Sequence, residues 1–131
     1  MRPWASKTSC CAQMQKDLGV LVAKARELTG TRRFAEASRL LGDAYRQLFG
    51  LDRRFLQIMQ PEQVPGVLGR TERVSAFARL MAEEADLLRL QHDTQSAAAT
   101  ARWTLRTIEA GKLRDEVLLA RLRAMTELLG P

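Results

Sequence analysis

Apolar residues recur at intervals of three and four along most of the chain, the spacing that gathers them on one face of an α-helix. Met14, Leu18, Leu21, Val22, Ala25 and Leu28 form the first such stripe, and Gly30 with Thr31 ends it. Thr31 is placed to cap a second helix, whose stripe runs Phe34, Ala37, Leu41, Ala44, Tyr45 and Leu48 and which closes near Gly50. Its other face alternates Glu36, Arg39, Asp43 and Arg46, a ladder of opposite charges suited to water. So short a joint between the two helices predicts an antiparallel hairpin over residues 14 to 50.

Residues 51 to 70 break the period. Pro61, Pro65, Gly66 and Gly69 interrupt short apolar patches there. The pattern predicts a connector with one or two short helical turns, one starting at Pro61, and with Phe55 and Met59 leaning on the core. A third helix over 72 to 90 turns Val74, Ala78, Met81, Ala82, Ala85 and Leu88 inward. A fourth, capped by Asp93 or Thr94, carries Ala97, Ala101, Leu105 and Ile108 and stops at Gly111, completing a second hairpin over 71 to 110. A terminal helix over 112 to 129 has a broad apolar face that adds Leu113, Val117, Ala120 and Ala124 to Leu118, Leu122, Met125, Leu128 and Leu129. That width predicts a helix seated in a groove or meeting a partner chain. Residues 1 to 13 read as a flexible tail, leaving 14 to 131 as one helical domain.

A shift of 60 positions lays Met14 on Val74, Leu18 on Ala78, Leu21 on Met81, Ala25 on Ala85 and Leu28 on Leu88. The same shift lays Ala37 on Ala97, Leu41 on Ala101, Tyr45 on Leu105 and Leu48 on Ile108, so both hairpins share one register. The series Phe34, Ala37, Leu41, Ala44 resembles the second helix of a tetratricopeptide repeat, in which large and small residues alternate to lock neighbouring helices. The first helix departs from that family: Leu21, Lys24 with Ala25, and Leu28 stand where it places a large residue, a Leu-Gly pair and an aromatic. The stretch AYRQLFGLD over 44 to 52, with the turns and hairpin after it, is also similar to a family of small uncharacterised bacterial all-helical proteins over most of residues 14 to 110. These resemblances imply stacked helical hairpins and carry no activity.

Composition agrees with this helical reading. The 131 residues are 46% apolar, 27% charged and 5% aromatic, which fits one globular domain and excludes a disordered or membrane-spanning chain. The net charge of +6 raises the question of nucleic acid, which Arg32, Arg33, Arg39, Arg53 and Arg54 would serve. Residues 51 to 100 carry six basic against seven acidic groups, and most arginines have an acid three or four positions away, so no basic block stands free to displace counterions. Cys10 and Cys11 are adjacent, a poor geometry for a disulfide, and lack the companions of a zinc site. Reduced cysteines and the lack of a signal-like apolar run in this tail suit a cytoplasmic protein.

Reactive groups are scarce. His92, the one histidine, stands beside Asp93 at the end of the third helix, where a cation favourably meets the helix dipole. Glu83, Glu84 and Asp86 form the densest acidic cluster, which pairing of Arg79 with Glu83 and of Asp86 with Arg89 explains without a metal. Trp103, flanked by Arg102 and Arg106, has the composition of a binding hot spot. The expectation is an all-α chain of two antiparallel hairpins plus a C-terminal capping helix, with no catalytic residue, metal or cofactor. It would act as a non-enzymatic module binding a peptide or helix of a partner protein through Leu21, Lys24, Leu28, Arg79, Trp103, Arg102 and Arg106. The alternatives are a homo-oligomer joined through the last helix and a weak nucleic-acid binder.

Overall fold

The computed structural model describes residues 6 to 128, with side chains from residue 12 to residue 127. All regular structure among them is helical: α1 (Ser6–Gly30), α2 (Phe34–Phe49), α3 (Arg53–Gln57), a 3₁₀ turn (Pro61–Gln63), α4 (Val64–Leu68), α5 (Thr71–Leu90), α6 (Thr94–Gly111) and α7 (Glu116–Leu128). No helix among these is long and apolar enough to cross a membrane. Helix α1 begins at Ser6, inside the stretch expected as a flexible tail over residues 1 to 13. Neither Gly nor Pro interrupts the chain from there to Leu18, so the helix that Leu18 and Met14 anchor in the core propagates backward unhindered. The side chains of Cys10 and Cys11, and residues 1 to 5, lie outside the described residues.

The 60-residue offset reappears in the backbone of the two hairpin turns. After α1, Arg32 takes φ +62°, Arg33 N–H donates to Leu28 O at 2.8 Å and Arg32 N–H to Thr29 O at 3.0 Å. After α5, His92 takes φ +66°, Asp93 N–H donates to Leu88 O at 2.9 Å and His92 N–H to Arg89 O at 3.0 Å. Both turns are Schellman closures, in which a left-handed residue lets the chain reverse while spending the last helical carbonyls. Lys112 (φ +56°) closes α6 the same way, with Leu113 N–H on Ile108 O at 3.1 Å. The start of α2 differs from expectation. Thr31 closes α1, its hydroxyl donating to Leu28 O at 3.1 Å, and the residue before α2 is Arg33, which makes no side-chain cap. Asp93 does cap α6, accepting from Ser96 N–H at 3.1 Å.

Helix α5 is the hub, touching α1, α2, α4, α6 and α7. Its burial is accordingly wider than the single stripe expected: Ala76, Phe77, Leu80, Glu83, Glu84 and Leu87 are buried besides the expected Val74, Ala78, Met81, Ala82 and Ala85. One core cluster centres on Phe77, whose ring meets Tyr45 at 5.7 Å, Phe49 at 6.1 Å and Trp103 at 5.8 Å, all three in edge-on geometry. A second cluster joins Ala78, Ala82 and Ala85 to Ala101, Ile108, Leu118, Leu122 and Met125. Alanines at the crossing let α5, α6 and α7 approach closely.

Two expected anchors move. In the connector Leu56 is fully buried while Phe55 is 48% exposed, since α3 spans five residues and its phase is set by how Asp52 caps it, accepting from Arg54 N–H at 3.4 Å. Met59 does pack partly against the core, and Pro61 opens the 3₁₀ turn as expected. The terminal helix starts at Glu116 instead of Lys112, because Asp115 caps it by accepting from Leu118 N–H at 3.1 Å. This sets its inward face as Leu118, Leu122 and Met125, while Val117 is 82% exposed and Ala120 and Ala124 also face water. The side chain of Leu128, and Leu129 altogether, lie outside the described residues.

Candidate functional site

Successive residues on an α-helix diverge by about 100°, and α5 uses this to send two buried acids to different neighbours. Glu83 reaches toward α1 and α7. Arg26 of α1 grips it in bidentate fashion, Nε to Oε1 at 3.1 Å and Nη2 to Oε2 at 2.8 Å, and Arg121 of α7 donates Nη1 to Oε2 at 2.7 Å. Burial alone would raise the Glu83 carboxyl, but the hydrogen bonds and charges of Arg26 and Arg121 outweigh it and hold the group below the ordinary carboxylate range. Glu84 reaches toward α2 and α3. It accepts from the Tyr45 hydroxyl at 2.9 Å and Gln57 Nε2 at 3.3 Å, and pairs with Arg53. Here burial prevails over the Arg53 charge and the hydrogen bonds, and the Glu84 carboxyl stays above its ordinary range. Burial, then the neighbouring Glu84 charge, also pushes the Tyr45 phenol well up.

This corrects the expected pairing of Arg79 with Glu83. The acid is 7% exposed and takes long-range partners, and Arg79 is left exposed. The Asp86 to Arg89 pair forms as expected, Nη2 to Oδ1 at 2.7 Å. Among the described residues no group of three or more His, Cys, Asp or Glu is arranged to hold a metal ion.

The Arg26–Glu83–Arg121 bridge divides one groove into two clefts. The first, about 560 Å³, lies where α1 ends and α2 begins, with Arg32, Phe34, Asp86 and Leu90 in its wall. The second, about 350 Å³, continues past Val22 and Arg79 to Asp115 and Val117. Both share Arg26, Glu83 and Arg121. Arg26 remains 63% exposed and Arg121 30% exposed, and Arg32 and Arg79 form no ion pair among the described residues. The groove therefore presents four guanidinium groups in sequence, Arg32, Arg26, Arg121 and Arg79. Two guanidinium groups carry more N–H donors than one carboxylate accepts, so the bridge itself can hold a further anion.

Of the residues expected to bind, Arg79 lines this groove. Leu28 is a core residue at 6% exposure, and Leu21 packs half-buried against the same core. Lys24 is exposed and pairs with Glu27 at 3.5 Å. Trp103 is half-buried with its edge on Phe77 of α5, and Arg106 beside it is engaged with Glu62 at 2.8 Å. Arg102 is exposed on α6, which contributes nothing to the groove. The sequence offers Arg32 only to nucleic acid and does not single out Arg26 or Arg121, because the convergence of the three depends on α1 and α7 flanking α5, which no local spacing encodes.

Further clefts lie elsewhere. A third of about 420 Å³ between α2 and α3 gathers Arg39, Arg53 and Arg54 with Arg46, but Arg53 serves Glu84 and Arg46 pairs with Asp43 and Asp52. Of the five arginines of the nucleic-acid alternative, Arg39, Arg53 and Arg54 line this third cleft, Arg32 lines the first, and Arg33 is tied to Glu36 at 2.8 Å. A fourth of about 520 Å³ lies between α6 and α7. Comparison of the chain with protein-family models, with curated proteins and with solved structures finds no match.

Proposed function

We propose that this protein is a non-enzymatic, tetratricopeptide-like helical-hairpin module that binds an acidic segment of a partner protein in the groove over α5. The carrying observation is the row of Arg32, Arg26, Arg121 and Arg79 along two clefts that share a floor at Glu83. The guanidinium groups, which outnumber the acids Glu83, Asp86 and Asp115 in the same walls, support an anionic ligand, and the apolar Val22, Phe34, Leu90 and Val117 supply area to bury. The antiparallel hairpins with matching turns, and α7 laid across α5 and α6, support the stacked-hairpin reading. His92 lies exposed on a turn, away from the groove over α5.

Selection of a random peptide library on the immobilised chain tests this. Wild-type protein enriches Asp- and Glu-bearing peptides, and Arg26→Glu with Arg79→Glu abolishes the enrichment. Enrichment of lysine-bearing peptides, or equal enrichment by the variant, overturns it. A second reading, self-association through α7, is favoured by the exposed Val117, Ala120 and Ala124, and a concentration-dependent sedimentation coefficient would establish it.

A further inference from the structure

The fourth cleft differs from the groove in kind. It opens on the far side of α6, where Leu105, Leu113 and Leu119 edge the second core cluster half-buried and Ile108 forms a fully buried floor. Its volume of about 520 Å³ is that of a small-ligand site. The charged residues around it are Lys112, Arg114 and Arg123, with Glu109 as the single acid. All four are exposed, and the three cations form no ion pair among the described residues. A leucine-lined trough with surplus positive charge at its rim is complementary to a molecule that is apolar at one end and anionic at the other.

We propose that this cleft binds a monomeric amphipathic anion, an alkyl carboxylate, with its chain on Leu105, Ile108, Leu113 and Leu119 and its head among Lys112, Arg114 and Arg123. An inorganic anion is a poor occupant. Glu109 offsets one of the three cations, and the carbonyl end of α6 beside Lys112 adds partial negative charge. The apolar half of the ligand is therefore required. A second copy of the chain is disfavoured at this rim, because its net charge is +6.

Lys112 makes a clean test possible. Its backbone holds φ +56°, a conformation glycine adopts without strain, so Lys112→Gly removes the ammonium group while favouring the fold. Decanoate below its micelle concentration is titrated into the full chain and followed by methyl NMR. Expected are saturable shifts at Leu105, Ile108, Leu113 and Leu119, with affinity about fivefold or more weaker in Lys112→Gly/Arg123→Gln and for decanol against wild type. Inorganic phosphate produces no such shifts. Equal affinity for decanol and decanoate, unchanged affinity in the double variant, or shifts confined to other parts of the molecule overturn the proposal. Shifts seen only with phosphatidylglycerol vesicles and not with free decanoate also overturn it, in favour of a membrane surface.

Discussion

Glu83 and Glu84 are neighbours in the chain, yet one is held by Arg26 and Arg121 and the other by Tyr45, Arg53 and Gln57. Through these two side chains α5 is tied to α1, α2, α3 and α7. Their opposite displacements give the fold two opposing dependences on pH. Glu83, held low, contributes stability that is complete above the ordinary carboxylate range and lost as pH falls through its folded value. Glu84, held high, binds a proton more readily folded than unfolded, so its contribution grows as pH falls from its folded value toward the ordinary range.

Urea unfolding across the acid range separates the two. Glu84→Gln removes the gain on mild acidification, and Glu83→Gln reduces the loss at lower pH, to which Glu62, also held low, still contributes. At neutral pH Glu83→Gln costs about 2 kcal/mol, a buried-pair loss reduced because Arg26 and Arg121 both reach water. A Glu84→Gln profile parallel to wild type at every pH would refute the assignment.

Phe77 is the ring on which Tyr45, Phe49 and Trp103 converge. Truncation to alanine leaves a void that three aromatic neighbours cannot close, and costs about 3–5 kcal/mol in chemical unfolding. Tyr45→Phe keeps the ring contacts but takes a hydroxyl from Glu84, costing about 1–2 kcal/mol. If Tyr45→Phe proves as damaging as Phe77→Ala, hydrogen bonding outranks packing at this centre.

Arg32, His92 and Lys112 occupy left-handed positions that glycine fills more easily. His92→Gly raises stability by about 0.5–1 kcal/mol, visible as a higher melting temperature. A lower one would mean that the imidazole contributes more at the end of α5 than its backbone costs.

Two glycines respond oppositely to alanine. A Cβ on Gly19, within α1, meets nothing within 4 Å, so Gly19→Ala adds about 0.5–1 kcal/mol of helix propensity. At Gly111 it would lie 3.2 Å from Val74 Cγ1 and 3.4 Å from the Pro65 ring, so Gly111→Ala forfeits that gain and destabilises. Thermal unfolding of the two variants side by side decides the matter.

The sequence disclosed the long helices and the shared register because each hairpin buries a face whose phase is written in its own residues. Ala37, Leu41, Ala44 and Tyr45 are all buried, and α2 closes on Gly50 at φ +70° as expected. Short elements carry too few turns to fix a phase, which is why Leu56 and not Phe55 enters the core. Capping shifted α7, since the Asp115 carboxylate starts the helix there and turns Val117 outward. The bridge at Glu83 was not legible. Spacing along a helix suggests Arg79 as its partner, whereas the chosen donors lie 57 and 38 positions away and meet only when three helices are packed.

Thr31, Arg32 and Arg33 share no residue with Gln91, His92 and Asp93, yet both triplets trace the same reversal with matched hydrogen bonds. Helix packing, then, dictates the path of each bend, and side chains such as the Asp93 cap on α6 trim its stability without setting its direction. Exchanging the two triplets would redecorate that end of the molecule and move its cap from one hairpin to the other, with the scaffold beneath keeping its course.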